Sequence, residues 1–350
     1  MRSRLLIFSK DIGIDLGTAN SLIYLAGRGI VINEPSITAV NAKTNQLLAV
    51  GEEAKKMVGR TPAQINVIRP LINGVISDFE MAQEMLRHYL KRIGGGSNLF
   101  AGFRKAVIGV PSNLTEVERK SVEDVVIGAG AARAYVIEEP MAAALGARLP
   151  VNEPTANLIV DIGGGTTEVA IISMGGTVVS KSLKVAGDRL NEDLIRFIKD
   201  EFKLAVGEPT VEELKINIGS AVPLGEKTEM QVRGRDLATG LPREITVRDS
   251  QVRTAIAKSL RLITEAIKEV IETAPPELVG DTLKHGIHIC GGSSLLKGID
   301  TLFSRELGIA TNIVDDPLTC VARGTGIAVE NIEKYKQILE NPINPREIKI

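Results

Sequence analysis

The sequence predicts an α/β protein built as two related halves. An apolar strand, an Asp, a small Gly/Thr-rich turn and a second apolar strand occur twice, as IGIDLGTANSLIYL at residues 12–25 and IVDIGGGTTEVAII at 159–172. Behind each copy, strand-like and helix-like patterns alternate, which is the order of an α/β fold. The length of 350 residues suits about two domains at ~150 residues each.

The first half reads in order. Residues 11–51 are strand-rich: Ile12, Ile14 and Leu16 alternate, Gly17 to Asn20 turn, Leu22, Tyr24 and Ile30 to Ile32 continue, and Glu34-Pro35 breaks the run. Ser77 or Asp78 caps a helix through Ile93, with Met81, Met85, Tyr89 and Ile93 on one stripe, and Gly94 to Gly96 end it. KAVIGVP at 105–111 is a short buried strand. Thr115 with Glu118 forms a T-x-x-E capping box for a helix that turns Val122, Val125, Val126 and Ala129 inward. Ala134 to Ile137 is a strand, and Pro140 takes the first position of the helix that follows, before MAAALGARL.

At residue 155 the plan restarts. Strand, turn and strand at 157–173 lead to a strand at 177–185. Asp188 opens a helix that aligns Leu190, Leu194, Ile198 and Phe202. Thr210 with Glu213 reads as a second capping box, for a helix through Ile218. Residues 220–248 are polar and extended. A long helix covers 250–272, with Val252, Ile256, Leu260, Ile263, Ile267 and Ile271 on one face, and Pro275-Pro276 stops it. The strand GIHIC leads into GGSSLLKGI and a further helix, and the chain closes in a Pro-punctuated tail.

Composition narrows the function. Apolar residues are 44% of the chain, enough for a sizeable core, and with no Trp and 3% aromatics that core is aliphatic. Lys plus Arg is 42 against 43 for Asp plus Glu, so no basic excess points to nucleic acid. Cys290 and Cys320 cannot build a disulfide framework, which suits a reducing cytosol, and both stand among apolar residues. No apolar run approaches the ~18 residues of a membrane-spanning helix. The run Leu5 to Phe8 is too short for a signal-peptide core, and no small-residue cleavage site follows it.

The repeated turn carries the chemistry. Gly, Thr and Ala between two strands expose successive backbone N–H groups, and such a nest binds anionic oxygens; Gly lets the backbone approach a ligand closely. Asp15 and Asp161 each end a buried strand, and a carboxylate there holds Mg2+ directly or through water. Two such turns facing each other would clamp a polyphosphate, with Asp161 and Glu139 orienting a water for in-line attack. Either turn alone reads more readily as an ordinary hairpin; it is the pairing that favours phosphate. Other motifs fail. GSAVPLGEKT at 219–228 has one residue too many and Glu226 in place of the Walker A lysine. Gly128-Ala129-Gly130 ends a helix and opens none. His285 and His288 lack a third metal ligand and read as structural.

With both turns, Glu139-Pro140 and GGSSLLKGI in hand, the sequence resembles the actin-like ATPase superfamily, which includes actins, heat-shock chaperone ATPase domains and sugar kinases. Within it, DIGIDLGTAN, NEPS, GRTP, RP-x-x-x-GVI, IEEPMAAA, VDIGGGTTEVA, GRDL-x-TGLPR, TAPPEL and GGSSLLKG resemble, in order and spacing from Asp11 to about residue 335, the MreB family of bacterial cell-shape proteins.

The resemblance implies an actin-like fold of two domains, each split into a large and a small subdomain, around a cleft for ATP and Mg2+. It places the first domain at 1–150 (small subdomain about 36–72) with a C-terminal return at 318–340. The second domain falls at 151–317 (small subdomain about 188–248), and the tail at 341–350. It assigns Gly17, Thr18, Ala19 and Asn20 to the first phosphate loop and Gly163, Gly164, Gly165 and Thr166 to the second. Asp15 and Asp161 go to Mg2+ and its waters. Glu139 orients the attacking water, with Thr166 and Asp161 completing the catalytic set. Lys55, next to Lys56, goes near the γ-phosphate. Glu212, Glu213, Leu214 and Lys215 lie by the ribose and adenine, and Gly291, Gly292, Ser293 and Ser294 form the adenosine loop. The family often has glycine where Ser293 stands, so a side chain is expected to face the nucleotide there.

The same resemblance implies a homopolymer of paired protofilaments on the inner face of the cytoplasmic membrane, working with cell-wall synthesis membrane proteins. Leu5, Leu6, Ile7 and Phe8, flanked by Arg2, Arg4 and Lys10, fit a short anchor with basic snorkelling residues. Leu99, Phe100 and Phe103 form a second candidate contact in a Gly-bounded loop. The bland alternative has Leu5 to Phe8 begin the first strand. Two other functions share the fold. A soluble chaperone-type ATPase would carry a substrate-binding region after the ATPase part, and a small-molecule kinase would need an acceptor site.

Overall fold

The computed structural model describes residues 10–94, 103–225 and 227–339. Its contacts divide the chain into two compact units, one of residues 1–155, 172–177 and 318–350, the other of 156–171 and 178–317.

The first unit is built on a five-stranded sheet in the order Ala134–Glu138, Phe103–Val110, Lys10–Leu16, Asn20–Leu25, Gly29–Pro35. The first three strands run parallel and the last two complete an antiparallel meander. Side chains alternate across the sheet. Ile12, Ile14, Ala106, Ile108 and Val136 pack with the buried faces of helices Phe79–Gly94 and Glu116–Ala129. The first helix starts where the Met81 amide donates to the Asp78 carboxylate at 3.0 Å. The second carries the expected capping box: the Glu118 amide donates to Thr115 Oγ1, and the Thr115 amide to Glu118 Oε2.

The opposite face is closed by two helices, Glu139–Gly146 and Cys320–Glu330. They pack backbone to backbone. A Cβ on Gly146 would lie 1.9 Å from the Cys320 carbonyl oxygen, and one on Gly324 1.7 Å from that of Ala142. Gly13 and Gly109 meet the same helix at Thr325, Gly326 and Val321. A small three-stranded sheet, Leu47–Val50, Thr38–Asn41 and Ile65–Ile68, and the hairpin Leu71–Ile72/Val75–Ile76 complete the unit.

The second unit repeats the sheet order: Thr311–Ile313, Ile287–Cys290, Asn157–Ile162, Thr167–Ser173, Gly176–Leu183. Its aliphatic core gathers Leu158, Val160, Ile162, Leu190, Leu194, Ile198 and the expected stripe of helix Asp249–Thr273 around Phe303. Helices Gly187–Phe202 and Glu208–Ile218 and a three-stranded sheet, Leu204–Ala205, Glu229–Asp236 and Pro242–Arg248, extend it.

Several expectations change. The Thr210–Glu213 box does not form: the helix begins at Glu208, with Gly207 as N-cap and Pro209 in its first turn, because a proline ring pre-sets the φ of a first turn. Pro275-Pro276 ends one helix and opens another, Pro276–His285, by the same preference. The polar stretch 220–248 contains a hairpin. Phe103 is buried as the first residue of a strand and is not part of a loop.

Candidate functional site

The two repeated turns share their internal geometry. In the second unit the Gly163 amide donates to the Thr166 carbonyl at 2.9 Å, and in the first the Gly17 amide donates to the Asn20 carbonyl at 3.1 Å. The chain returns tightly at both: a Cβ on Gly17 would lie 2.9 Å from Asn20 O, too close for the backbone to accept unchanged, and one on Gly163 3.2 Å from Thr166 O, a tight contact.

Around the second loop, carbonyls are used inward. Gly163 O accepts from the Gly187 amide at 3.2 Å and from Ser293 Oγ at 2.7 Å, and Gly164 O accepts from the Asp188 amide at 2.8 Å. Thr167 Oγ1 donates to Val185 O at 2.7 Å. Among the described residues, the amides of Gly164, Gly165 and Thr166 have no backbone acceptor. The carbonyls of Gly163, Gly164 and Thr166 are thus taken while these three amides have no backbone acceptor, the hydrogen-bond pattern of a nest that can accept an anion.

Asp161 ends the strand beneath this loop, 7% exposed, in register with Cys290 of the neighbouring parallel strand. Burial pushes its carboxyl up to about 6, and a hydrogen bond from the Cys290 thiol pulls the other way. Gly291 follows Cys290 at φ +82°, where a Cβ would lie 2.3 Å from Asp161 Oδ1. Both the backbone conformation and the carboxylate therefore require glycine there. Gly292 is exposed, and Ser294 is fully buried with its Oγ donating to Gly291 O at 2.7 Å. Ser293, half-buried, turns its hydroxyl onto Gly163 O.

Glu212 and Lys215 lie on one face of helix Glu208–Ile218. Lys215 Nζ donates to Glu212 Oε2 at 2.8 Å and to Gly187 O at 3.2 Å, and Asn191 Nδ2 donates to Glu212 Oε2 at 2.6 Å. The structure thus brings Glu212 and Lys215 to the helix start that braces the Gly163–Thr166 turn. It does not bring Glu213, which is exposed, or Leu214, which is wholly in the core. Sequence reasoning missed Asn191, Gly187 and Cys290; the glycine preceding Asp188 at a strand-to-helix junction was the readable sign of the second.

In the first unit, Gly17 O accepts from Ser36 Oγ at 2.6 Å, and Ala19 O accepts from the Ser36 amide at 2.9 Å. Thr18 Oγ1 accepts from the Gly74 amide at 3.0 Å. Asp15, Gly109 and Ile137 form one row across the three parallel strands. Glu139 follows Ile137 by two residues and begins a helix, 9% exposed. Asp15 and Glu139 thus stand at the carboxyl ends of parallel strands, where open α/β sheets take their ligands. Lys55 is exposed on the short helix Glu52–Lys55, and no hydrogen bond among the described residues joins it to the Gly17–Asn20 loop.

The model of the MreB/Mbl protein family matches residues 9–337. The chain belongs to the MreB/Mbl family. The cell shape-determining protein Mbl of Bacillus subtilis is 45% identical over 328 residues, covering 94% of this chain and 98% of that protein. The cell shape-determining protein MreB of Escherichia coli is 45% identical over 333 residues, covering 94% and 96%. Among solved structures, MreB5 of Spiroplasma citri bound to AMPPNP superposes with a TM-score of 0.89 at 40% identity, covering 94% of this chain and 98% of that one. A MamK double helical filament, at 24% identity and a TM-score of 0.79, shares the fold. The fold is actin-like, and the cell-shape resemblance read from the motifs holds.

On this MreB/Mbl chain, the membrane candidates Leu5, Leu6, Ile7, Phe8, Leu99 and Phe100 lie outside the described residues. No helix among the described residues is long and apolar enough to cross a membrane. The donor set suits Mg2+. Among the described residues no three His, Cys, Asp or Glu side chains form a metal cage. Mg2+ needs none, because it binds through one or two carboxylates, phosphate oxygens and several waters. Asp161, buried and raised, is a carboxylate whose ionised form gains from a nearby cation.

The raised Asp161 gives a pH signature to the nucleotide-free protein. Its folded pKa of about 6 lies above the ordinary carboxyl value of 3.8, so the folded state binds the proton more tightly than the unfolded chain. The group favours folding below pH ~4 and loses that effect as pH rises through about 6. Asp161→Asn is expected to be more stable than the parent at pH 7.5, by on the order of 3 kcal/mol, and to differ little at pH 4. Urea midpoints of both proteins across that range check it; a difference independent of pH would contradict it.

Proposed function

We propose that this chain binds and hydrolyses ATP with Mg2+ and polymerises into paired protofilaments on the inner face of the cytoplasmic membrane, where it organises cell-wall synthesis to set rod shape. The observation that carries the nucleotide reading is the Gly163–Thr166 turn, with the carbonyls of Gly163, Gly164 and Thr166 committed and the amides of Gly164, Gly165 and Thr166 without a backbone acceptor among the described residues. The AMPPNP- and ADP-bound MreB5 relatives support it.

In this reading the amides of both turns take phosphate oxygens. Asp161 and Asp15 would hold Mg2+, which would neutralise phosphate charge. Glu139 accepts a hydrogen bond from the attacking water and aims it, with Thr166 beside the same phosphate. Glu212 and Lys215 hold the ribose and adenine. Polymerisation, the membrane and the wall-synthesis partners rest on family membership, and filaments supply the many copies that weak single anchors need.

The test is pelleting of the purified protein with anionic liposomes, in ATP-Mg2+ or ADP. Ordered filaments that co-sediment with vesicles only in a nucleotide-dependent way are expected. Protein that hydrolyses ATP yet stays monomeric in every condition would sink the filament reading.

A further inference from the structure

The two turns have a second feature in common. In each, the carbonyl of the first glycine accepts a hydrogen bond from a serine hydroxyl that arrives from elsewhere in the same unit: Ser36 Oγ to Gly17 O at 2.6 Å, and Ser293 Oγ to Gly163 O at 2.7 Å. Neither serine adjoins its turn in sequence. Ser36 is fully buried, its hydroxyl also paired with Ser21 Oγ at 2.8 Å and its amide bonded to Ala19 O. Ser293 sits in the Gly292–Leu295 turn, so close to the helix start that a Cβ on Gly187 would lie 2.8 Å from its Oγ. Gly163 O is held by two donors and Gly17 O by the buried Ser36 hydroxyl, and a held carbonyl fixes the plane of its peptide and with it the direction of the next amide.

We propose that Ser36 and Ser293 are paired positioning residues, each latching one turn through its first glycine carbonyl so that the following amides are aimed at phosphate before any ligand arrives. Neither hydroxyl touches the ligand. Ser293 therefore acts on the phosphate end of the nucleotide although it lies in the turn assigned to the adenosine end, and removing its hydroxyl weakens phosphate binding while leaving base recognition intact. The proposal rests on the reading that these turns take phosphate.

The experiment measures MgADP and adenosine affinity by calorimetry for the parent, Ser36→Ala, Ser293→Ala and Ser293→Thr. Amide hydrogen exchange is followed in the nucleotide-free proteins. One hydrogen bond corresponds to a loss of about five- to tenfold. Each alanine variant is expected to lose that much MgADP affinity with adenosine affinity unchanged, and Ser293→Thr is expected to restore it. Exchange at Gly163, Gly187 and Asp188 is expected to quicken in Ser293→Ala, and at Gly17 and Ser36 in Ser36→Ala. Equal losses for adenosine and MgADP would overturn the proposal by making Ser293 a base contact. Unchanged exchange in both alanine variants would overturn it whatever the affinities. A parent protein that binds no MgADP would end the nucleotide reading, with exchange then deciding the latch by itself.

Discussion

Gly324→Ala is expected to destabilise the first unit by at least ~3 kcal/mol, the upper end for overpacking. Intrinsic propensity argues the other way, since alanine is favoured over glycine inside a helix by about 1 kcal/mol. Packing wins because the new methyl would stand 1.7 Å from the Ala142 carbonyl oxygen, a backbone atom that moves only if the two helices separate. Arg323, which donates to Gly146 O, and the Cys320 thiol, which donates to Ala143 O, would lose their partners with that separation. Gly280 is the control. It is exposed in helix Pro276–His285, and a Cβ there meets nothing within 4 Å, so Gly280→Ala is expected to stabilise by about 0.5–1 kcal/mol. Thermal melts of the two variants should move in opposite directions, Gly324→Ala downward by roughly 6–12 °C. A Gly324→Ala protein that melts with the parent would mean the helices are not in backbone contact.

Glu139→Gln is expected to slow phosphate release from ATP by about 10²–10⁴-fold, the usual contribution of a positioned acid or base, with ADP affinity within threefold of the parent. The amide keeps the size of the side chain and one acceptor oxygen but removes the negative charge and basicity that draw a water's proton. The placement at the first turn of helix Glu139–Gly146, one residue past Glu138, separates two roles. Glu138 is tied by Thr177 Oγ1 at 2.9 Å, so Glu138→Gln is expected to leave turnover near that of the parent. Single-turnover phosphate release of both variants checks the pair; comparable losses from both would remove Glu139 from its assigned role.

Much of the fold was legible because its signals are local. The repeated apolar–Asp–Gly pattern marks two hairpins that the structure builds with the same turn hydrogen bond. The Thr115–Glu118 box could be read because both its partners lie within four residues. The Thr210–Glu213 pattern misled for a local reason too: Pro209 already supplied the start of that helix. Helix Cys320–Glu330 was not legible. Its CVARGTGIAVE carries two glycines that propensity counts against a helix, yet Gly324 and Gly326 are the residues that let it press against Ala142 and Tyr24. In the site, the glycines and carboxylates could be read from residue type. The orientation of Ser293 could not, since it depends on a carbonyl in a distant stretch of the chain. Nor could the burial of Asp161 against Cys290, which depends on strand register.

The return of the chain to close the first unit sets an order of events during synthesis. The strands Lys10–Leu16 and Phe103–Val110 leave the ribosome early, but the helix that covers Gly13 and Gly109 ends at Glu330. At ~5–20 residues per second, roughly 10–35 s separate the emergence of Thr155 from that of Glu330. By then the second unit, nearly continuous from Ala156 to Pro317, has its whole core. The N-terminal unit is therefore the last to be completed, its sheet face uncovered until the residues up to Glu330 have emerged.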